Sequence, residues 1–168
     1  MTSSYVYLRP TRVVFVRETG RYSQSSQLAW KRMFDWLNTA ALTEQPRRGY
    51  GLARDNPRLK PVEQCRYDAC VEITDGMESL LPEGFNIQTL PGGPYVRKRH
   101  VGNHATLRDT IVEVREGWLP ARGLAVDTRR PLVEVYLTDP RFVPADQMKT
   151  EICMPIQVDD SVGIKGAA

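Results

Sequence analysis

The sequence predicts an α+β fold: duplicated strand–helix–strand–strand units, an antiparallel sheet with one main helix per half, a pseudo-dyad and a central pocket. Three observations predict it. The chain is written twice at a spacing of 82–83 residues. Each copy carries β-branched and aromatic runs of strand length. Each copy also carries one stretch with apolar residues at helical spacing.

The repeat is read directly. A shift of 82 aligns Val14 with Val96, Arg17 with Arg99 and Gly20 with Gly102. It also aligns Trp36-Leu37 with Trp118-Leu119, and Arg47-Arg48 with Arg129-Arg130. After one inserted residue the shift becomes 83, aligning Pro57 with Pro140, Gln64 with Gln147, Cys70 with Cys153 and Ile73 with Ile156. The matches keep one order and include a Trp-Leu pair, so coincidence is a poor account. The period is too long for a solenoid. It suits two supersecondary units sharing one domain, over about 5–73 and 85–156.

In the first unit, residues 5–8 and 13–16 read as strands. Residues 23–41 read as a helix, with Trp30, Phe34, Leu37 and Ala41 at helical spacing and a Ser cluster placed to cap its start. Pro46 closes that region. Residues 49–52, a turn at 54–57 and a strand over 66–73 follow. Residues 74–84 link the halves. In the second unit, 85–90 is a strand, Pro91-Gly92-Gly93-Pro94 a turn, and 95–99 a strand. Residues 106–118 read as a helix with Leu107, Ile111, Val114 and Trp118 on one face. Residues 132–137 are a strand, Thr138-Asp139-Pro140 a turn, and 150–156 the last strand. The single domain spans 1–158, and the Gly- and Ala-rich stretch 159–168 is expected to be a flexible tail.

Composition excludes several classes. The chain is 41% hydrophobic and 26% charged, with net charge +3, an ordinary globular balance. No apolar run approaches the roughly 20 residues that span a bilayer, and the start, Met1-Thr2-Ser3-Ser4, has no signal-peptide pattern. A cytoplasmic protein with no membrane partner is the expectation. The basic clusters are short and carry no DNA-binding motif, so no direct nucleic-acid partner is expected. Cys65, Cys70 and Cys153 are odd in number, which argues against a disulfide framework, and Cys70 and Cys153, in apolar strand-like runs, read as free core thiols. With only His100 and His104 and no CxxC spacing, no metal site and no cofactor are expected.

Several segments together resemble a known group. These are residues 30–37, 50–57, Arg66-Tyr67-Asp68-Ala69-Cys70-Val71, Leu90-Pro91-Gly92-Gly93-Pro94-Tyr95-Val96 and His100-Val101-Gly102. Trp118-Leu119-Pro120, Pro131-Leu132-Val133-Glu134-Val135-Tyr136 with Asp139-Pro140, Thr150-Glu151-Ile152 and Met154-Pro155-Ile156 complete the set. In order and spacing they resemble the GyrI-like domain, the effector-binding domain of AraC-type and MerR-type bacterial regulators. The resemblance implies a pocket for hydrophobic, often cationic, small molecules. It leaves three functions open: a stand-alone binding module, a hydrolase of cyclopropanoid or ester xenobiotics, and a modulator of DNA gyrase. With about ten residues ahead of the first repeat, direct transcriptional control is not expected.

Glu134 is the leading site residue. Strand alternation puts Glu134 and Tyr136 on one face and Val133, Val135 and Leu137 on the other. The repeat mate of Glu134 is Gly51, so the duplication breaks symmetry there, setting a carboxylate opposite an expected open space. The resemblance places the family's pocket acid at this position. Such a carboxylate attracts a cation or, with its pKa raised by burial, acts as a general base. The plainer reading is a Glu on the solvated face of a half-exposed strand. Trp118, Trp36, Tyr67, Tyr95 and Tyr136 are candidate ligand-binding aromatics, with Tyr136 also a candidate to hold Glu134 or a substrate oxygen. A helix Trp is equally at home in a core. His100 and His104 flank a turn, where a catalytic His–Glu pair is the less favoured reading. Asp68 reads as structural, paired with an Arg or capping a turn.

Overall fold

A computed structural model describes residues 2–43 and 47–158; Pro46 as a helix stop and the expected tail at 159–168 lie outside those residues. The first unit comprises β1 (Ser4–Leu8), β2 (Thr11–Thr19), α1 (Tyr22–Thr39), β3 (Gly49–Ala53) and β4 (Arg66–Glu72). The second comprises β5 (Phe85–Leu90), β6 (Gly93–Val101), α2 (Leu107–Val112), β7 (Leu132–Tyr136) and β8 (Lys149–Pro155). A π-helical segment, Glu113–Trp118, continues α2. Even the short 3-10 turn Val62–Gln64 has a counterpart 83 residues on, at Ala145–Gln147.

All eight strands form one antiparallel sheet in the order β1-β6-β8-β7-β3-β4-β2-β5. Exchange each strand for its repeat mate and the order reads the same backwards. The first strand of each unit lies with the other unit: β1 pairs with β6, and β5 with β2. Neither half completes its own sheet. At the centre, β3 pairs with β7 in a register that sets Gly51 opposite Glu134. These two are repeat mates, so the pseudo-symmetry centre falls on this pair.

The sheet buries both faces. Leu52, Val133, Val135, Cys70, Cys153, Tyr95 and Leu90 form one cluster on the face that carries no helix. The helix face holds two separate clusters. Ala29, Met33, Trp36 and Leu37 of α1 cover Val14, Val16, Tyr67, Ala69 and Val71. Leu107, Val114 and Leu119 cover Val96, Leu132, Ile152 and Met154.

Local details depart from the sequence reading. The helix α1 starts at Tyr22, and Arg21 at its N-cap supplies no side-chain cap. The serines lie inside the first turns; Ser26 Oγ donates back to the Tyr22 carbonyl at 2.6 Å. The buried stripe of α1 is Ser25, Ala29, Met33, Trp36 and Leu37, because the sheet takes the face adjoining Trp30 and Phe34. Ala41 lies past the helix end with φ 55°. The strand β6 begins inside the expected Pro91–Pro94 turn; Gly93, with φ 120°, enters the ladder opposite Leu8.

The repeat extends to an ion pair. Asp68, fully buried, accepts from Arg17 Nε at 2.7 Å, Arg54 Nε at 2.8 Å and Gln88 Nε2 at 2.9 Å. Its repeat mate Glu151 accepts from Arg99 Nη2 at 2.9 Å. The Asp68 reading as an arginine partner holds. Burial alone raises its pKa, but the three donors outweigh that and hold it below the usual carboxyl range. A depressed carboxyl pKa stabilises the fold above the unfolded value of about 3.9 and loses that contribution as pH falls through the folded value. Asp68→Ala should therefore cost about 3 kcal/mol at neutral pH, by leaving charged donors without their acceptor. Urea melts across the acid range should show the wild type losing that margin below pH ~4 and the variant losing none of it.

Candidate functional site

The helix α1 lies over β2 and β4, and α2 lies against β6. The central strands β3 and β7 run between them, and Glu134 points up from this strip. It is 7% exposed. Its cross-strand neighbours are Gly51 and Ile152, one with no side chain and one apolar. Among the described residues no Lys, Arg or His stands within ion-pair distance of it. The solvated-face reading of Glu134 is thus replaced by a buried one.

One hydrogen-bonded line ends on this carboxylate. Tyr136 Oη donates to Glu134 Oε2 at 2.6 Å. The Tyr67 and Tyr136 hydroxyls are 2.6 Å apart, and Trp30 Nε1 donates to Tyr67 Oη at 2.9 Å. An indole N–H only donates and a carboxylate only accepts. The protons therefore run one way: Trp30 to Tyr67, Tyr67 to Tyr136, Tyr136 to Glu134. Burial raises the Glu134 pKa, and the Tyr136 hydrogen bond offsets part of the rise. Burial, then the neighbouring Glu134, holds both tyrosines well above the usual phenol range, so they stay neutral donors.

The expected open space opposite Glu134 is filled. A Cβ on Gly51 would collide with both tyrosine hydroxyls. Glycine is required here by close approach, since the phenols occupy the volume a side chain would take. Rings surround the line. Trp30 stands edge-on to Tyr136 with centroids 5.2 Å apart, and tilted to Phe34 at 5.5 Å. His104 lies 5.3 Å from Tyr136, and Tyr22 6.2 Å from Tyr67. His104 also bonds Thr150 Oγ1 through Nε2 at 3.2 Å. Aromatic faces next to an unpaired carboxylate make a place where a cation is favoured.

Of the sequence candidates, Glu134, Tyr136 and Tyr67 come together. Trp36 goes to the core, donating Nε1 to the Leu80 carbonyl at 3.1 Å and packing on Phe85. Trp118 packs edge-on to Tyr5 at 5.6 Å under the Arg122 guanidinium. Tyr95 is buried in the opposite-face cluster, with Arg130 over its ring at 4.7 Å. His100 is buried and bonds Thr110 through Nδ1 at 2.8 Å, away from Glu134. Two surface clefts, one around Gly93, Asp127 and Arg130 and one around Arg12, Thr74 and Glu78, do not include Glu134. All three cysteines are free and buried. No group of three His, Cys, Asp or Glu among the described residues could hold a metal ion, and no described helix is long and apolar enough to cross a membrane.

The residues that sequence reading missed are Trp30 and Tyr22, while His104, weighed there only as a less favoured catalytic partner, stands beside Tyr136. A signal for them existed. Each breaks the repeat as Glu134 does: Trp30 is mated to Val112, and Tyr22 to His104.

Residues 1–157 match the family described as the GyrI-like small molecule binding domain. The chain belongs to the GyrI-like family. A relative, the probable transcriptional regulator YgiV of Escherichia coli strain K12, is 24% identical over 138 residues, covering 80% of each chain. Among solved structures, this GyrI-like chain resembles a hydrolase of Listeria innocua with TM-score 0.64 and 16% identity, covering 92% of this chain and 91% of that one. It also resembles SAV2435 bound to tetraphenylphosphonium, with TM-score 0.62 and 16% identity, covering 94% of each. At these identities the structural likeness shows the fold.

Two variants separate function from stability in this GyrI-like site. A carboxyl pKa raised on folding costs nothing below the unfolded value and lowers stability as pH rises from there through the folded value. Glu134→Gln keeps an acceptor for Tyr136 without the charge, and should stabilise the protein by about 0.5–2 kcal/mol at neutral pH. Gly51→Ala should destabilise it by about 1–3 kcal/mol through overpacking against the two phenols. Thermal unfolding of both, at pH 7 and again near pH 4, reads the two signs; the Glu134→Gln gain should shrink at the lower pH.

Proposed function

We propose that this GyrI-like chain binds a hydrophobic organic cation, with Glu134 as the counter-charge and Trp30, Tyr67, Tyr136 and His104 as the aromatic wall. The observation that carries this reading is the buried Glu134 carboxylate, with no cation in reach among the described residues. A positive group about 4 Å from it gains on the order of 4 kcal/mol at an effective dielectric of about 20. That exceeds the roughly 1.5–3 kcal/mol of the Tyr136 hydrogen bond it displaces. Space comes from Gly51: when the tyrosine hydroxyls swing off its Cα, the volume they held becomes ligand volume. The tetraphenylphosphonium of the SAV2435 structure is a ligand of this chemistry in the same fold.

The second reading is hydrolysis of a strained or activated neutral substrate. It is favoured by the raised pKa of Glu134 and by Tyr136, a neutral donor against it. There Glu134 takes a proton from water and Tyr136 steadies the developing oxyanion.

One titration tests both. Tetraphenylphosphonium is expected to bind with heat release and to quench Trp30 fluorescence. Glu134→Gln should weaken it about tenfold or more, and Tyr136→Phe should weaken it less. Equal affinity for Glu134→Gln and wild type would remove the carboxylate from the reading. Turnover of a cyclopropyl-bearing ester that vanishes in Glu134→Gln would move the assignment to hydrolysis.

A further inference from the structure

The hydrogen-bonded line that ends on Glu134 holds one more proton than it can place without the carboxylate. Trp30 Nε1 brings one proton, and the Tyr67 and Tyr136 hydroxyls bring one each. Tyr67 Oη takes the indole proton, Tyr136 Oη takes that of Tyr67, and Glu134 Oε2 takes that of Tyr136. Among the described residues neither hydroxyl is within hydrogen-bond distance of any other acceptor. Detached from Glu134, the line keeps two contacts for three protons. The indole can only donate. If Tyr136 turns to donate to Tyr67, the Tyr67 proton is left over instead. One phenol proton is orphaned whichever way the hydroxyls turn.

A cation that reaches Glu134 detaches the line. Both hydroxyls lie on the Gly51 Cα, directly across the ladder from Glu134. A ligand group placed opposite the carboxylate takes that volume and moves the hydroxyls off Oε2. The charge of Glu134 is then met by the cation. The orphaned O–H is left beside the ligand, and a buried donor without an acceptor bears its full desolvation cost. The surrounding protein does not relieve it. The cross-strand neighbours of Glu134 are Gly51 and Ile152, which bring no side-chain acceptor. His104, beside the Tyr136 ring, has its Nε2 on Thr150 Oγ1 at 3.2 Å. The missing acceptor has to come from the ligand.

We propose that the preferred ligand is an organic cation with an ether or carbonyl oxygen close to its charged atom, the cation meeting Glu134 and the oxygen accepting the phenol proton that Glu134 gives up. This rests on the cation reading of Glu134 and goes beyond it by naming a second group on the ligand. The spacing follows from the site. The cation sits about 4 Å from the carboxylate. Tyr136 Oη starts 2.6 Å from Glu134 Oε2, and a hydroxyl holds an acceptor oxygen at about 2.7–2.8 Å. Both ligand groups are therefore met within a few ångströms of one carboxylate, which places the oxygen about two to three bonds from the charge. A purely hydrocarbon cation leaves the phenol proton orphaned. A neutral ether leaves Glu134 unpaired. Only a ligand with both groups satisfies the carboxylate and the line together.

The test uses the full-length protein and a matched pair of probes, butyl triphenylphosphonium and 2-methoxyethyl triphenylphosphonium, which differ by exchange of a methylene for an ether oxygen. The ether is the better hydrated of the two, so a merely apolar pocket prefers the butyl probe. Calorimetric titration of the wild type is expected to show the methoxyethyl probe binding about fivefold or more tightly. The double variant Tyr67→Phe/Tyr136→Phe keeps both rings and removes both hydroxyls, and should reverse the order. Glu134→Gln should weaken both probes together. If the wild type binds the butyl probe as tightly or more tightly, the inference falls and the cation reading stands without it. If the methoxyethyl preference persists in the double variant, the phenols are not its source and the inference falls as well. If neither probe binds, the cation reading falls and this inference with it. Because the pair is compared on the wild-type protein, the outcome does not depend on how the variants fold.

Discussion

A carboxylate buried at the centre of the sheet, with no cation in ion-pair distance among the described residues, is the constraint around which this protein is arranged. A charged group in such a place is costly unless it is paired or hydrogen-bonded. Here a single phenol hydrogen bond supports it, and two further donors stand behind that phenol in line. The line has one direction, because an indole closes one end and a carboxylate the other. Glu134 is thus held in position and left electrostatically unsatisfied, the state in which an incoming cation gains most.

Duplication makes the place and divergence makes the chemistry. A sheet whose order reads the same backwards must have one residue pair at its centre, and that pair is Gly51 and Glu134. Identical residues there would give two carboxylates in repulsion or two glycines with no charge. The same divergence recurs through the site. Tyr67 is mated to Thr150, Tyr136 to Ala53, Trp30 to Val112 and Tyr22 to His104. The scaffold positions keep their kind, as with Trp36-Leu37 and Trp118-Leu119, or Arg17 facing Asp68 and Arg99 facing Glu151. Exchange of the first strands between the units ties the halves into one sheet. The central pair then sits on the most interior strands, where its geometry is least free to change.

The sequence by itself determined the duplication, the strand and helix order, the face on which Glu134 and Tyr136 lie, and the core role of Cys70 and Cys153. All of these follow from periodicity and from residue-by-residue correspondence, which are local or linear properties. What only the tertiary structure decided was which aromatics reach the carboxylate. Trp36, Trp118 and Tyr95 are as aromatic as Trp30 and Tyr67, yet they serve the cores and the sheet margin. The choice depends on which side of each helix the sheet covers, and the serine-rich start of α1 hid that register. Space over Gly51 was likewise not legible, since the phenols that fill it come from strands on either side of β3, separated by 69 positions in the chain. A contact between residues distant in sequence is set by packing, and a linear pattern does not record it.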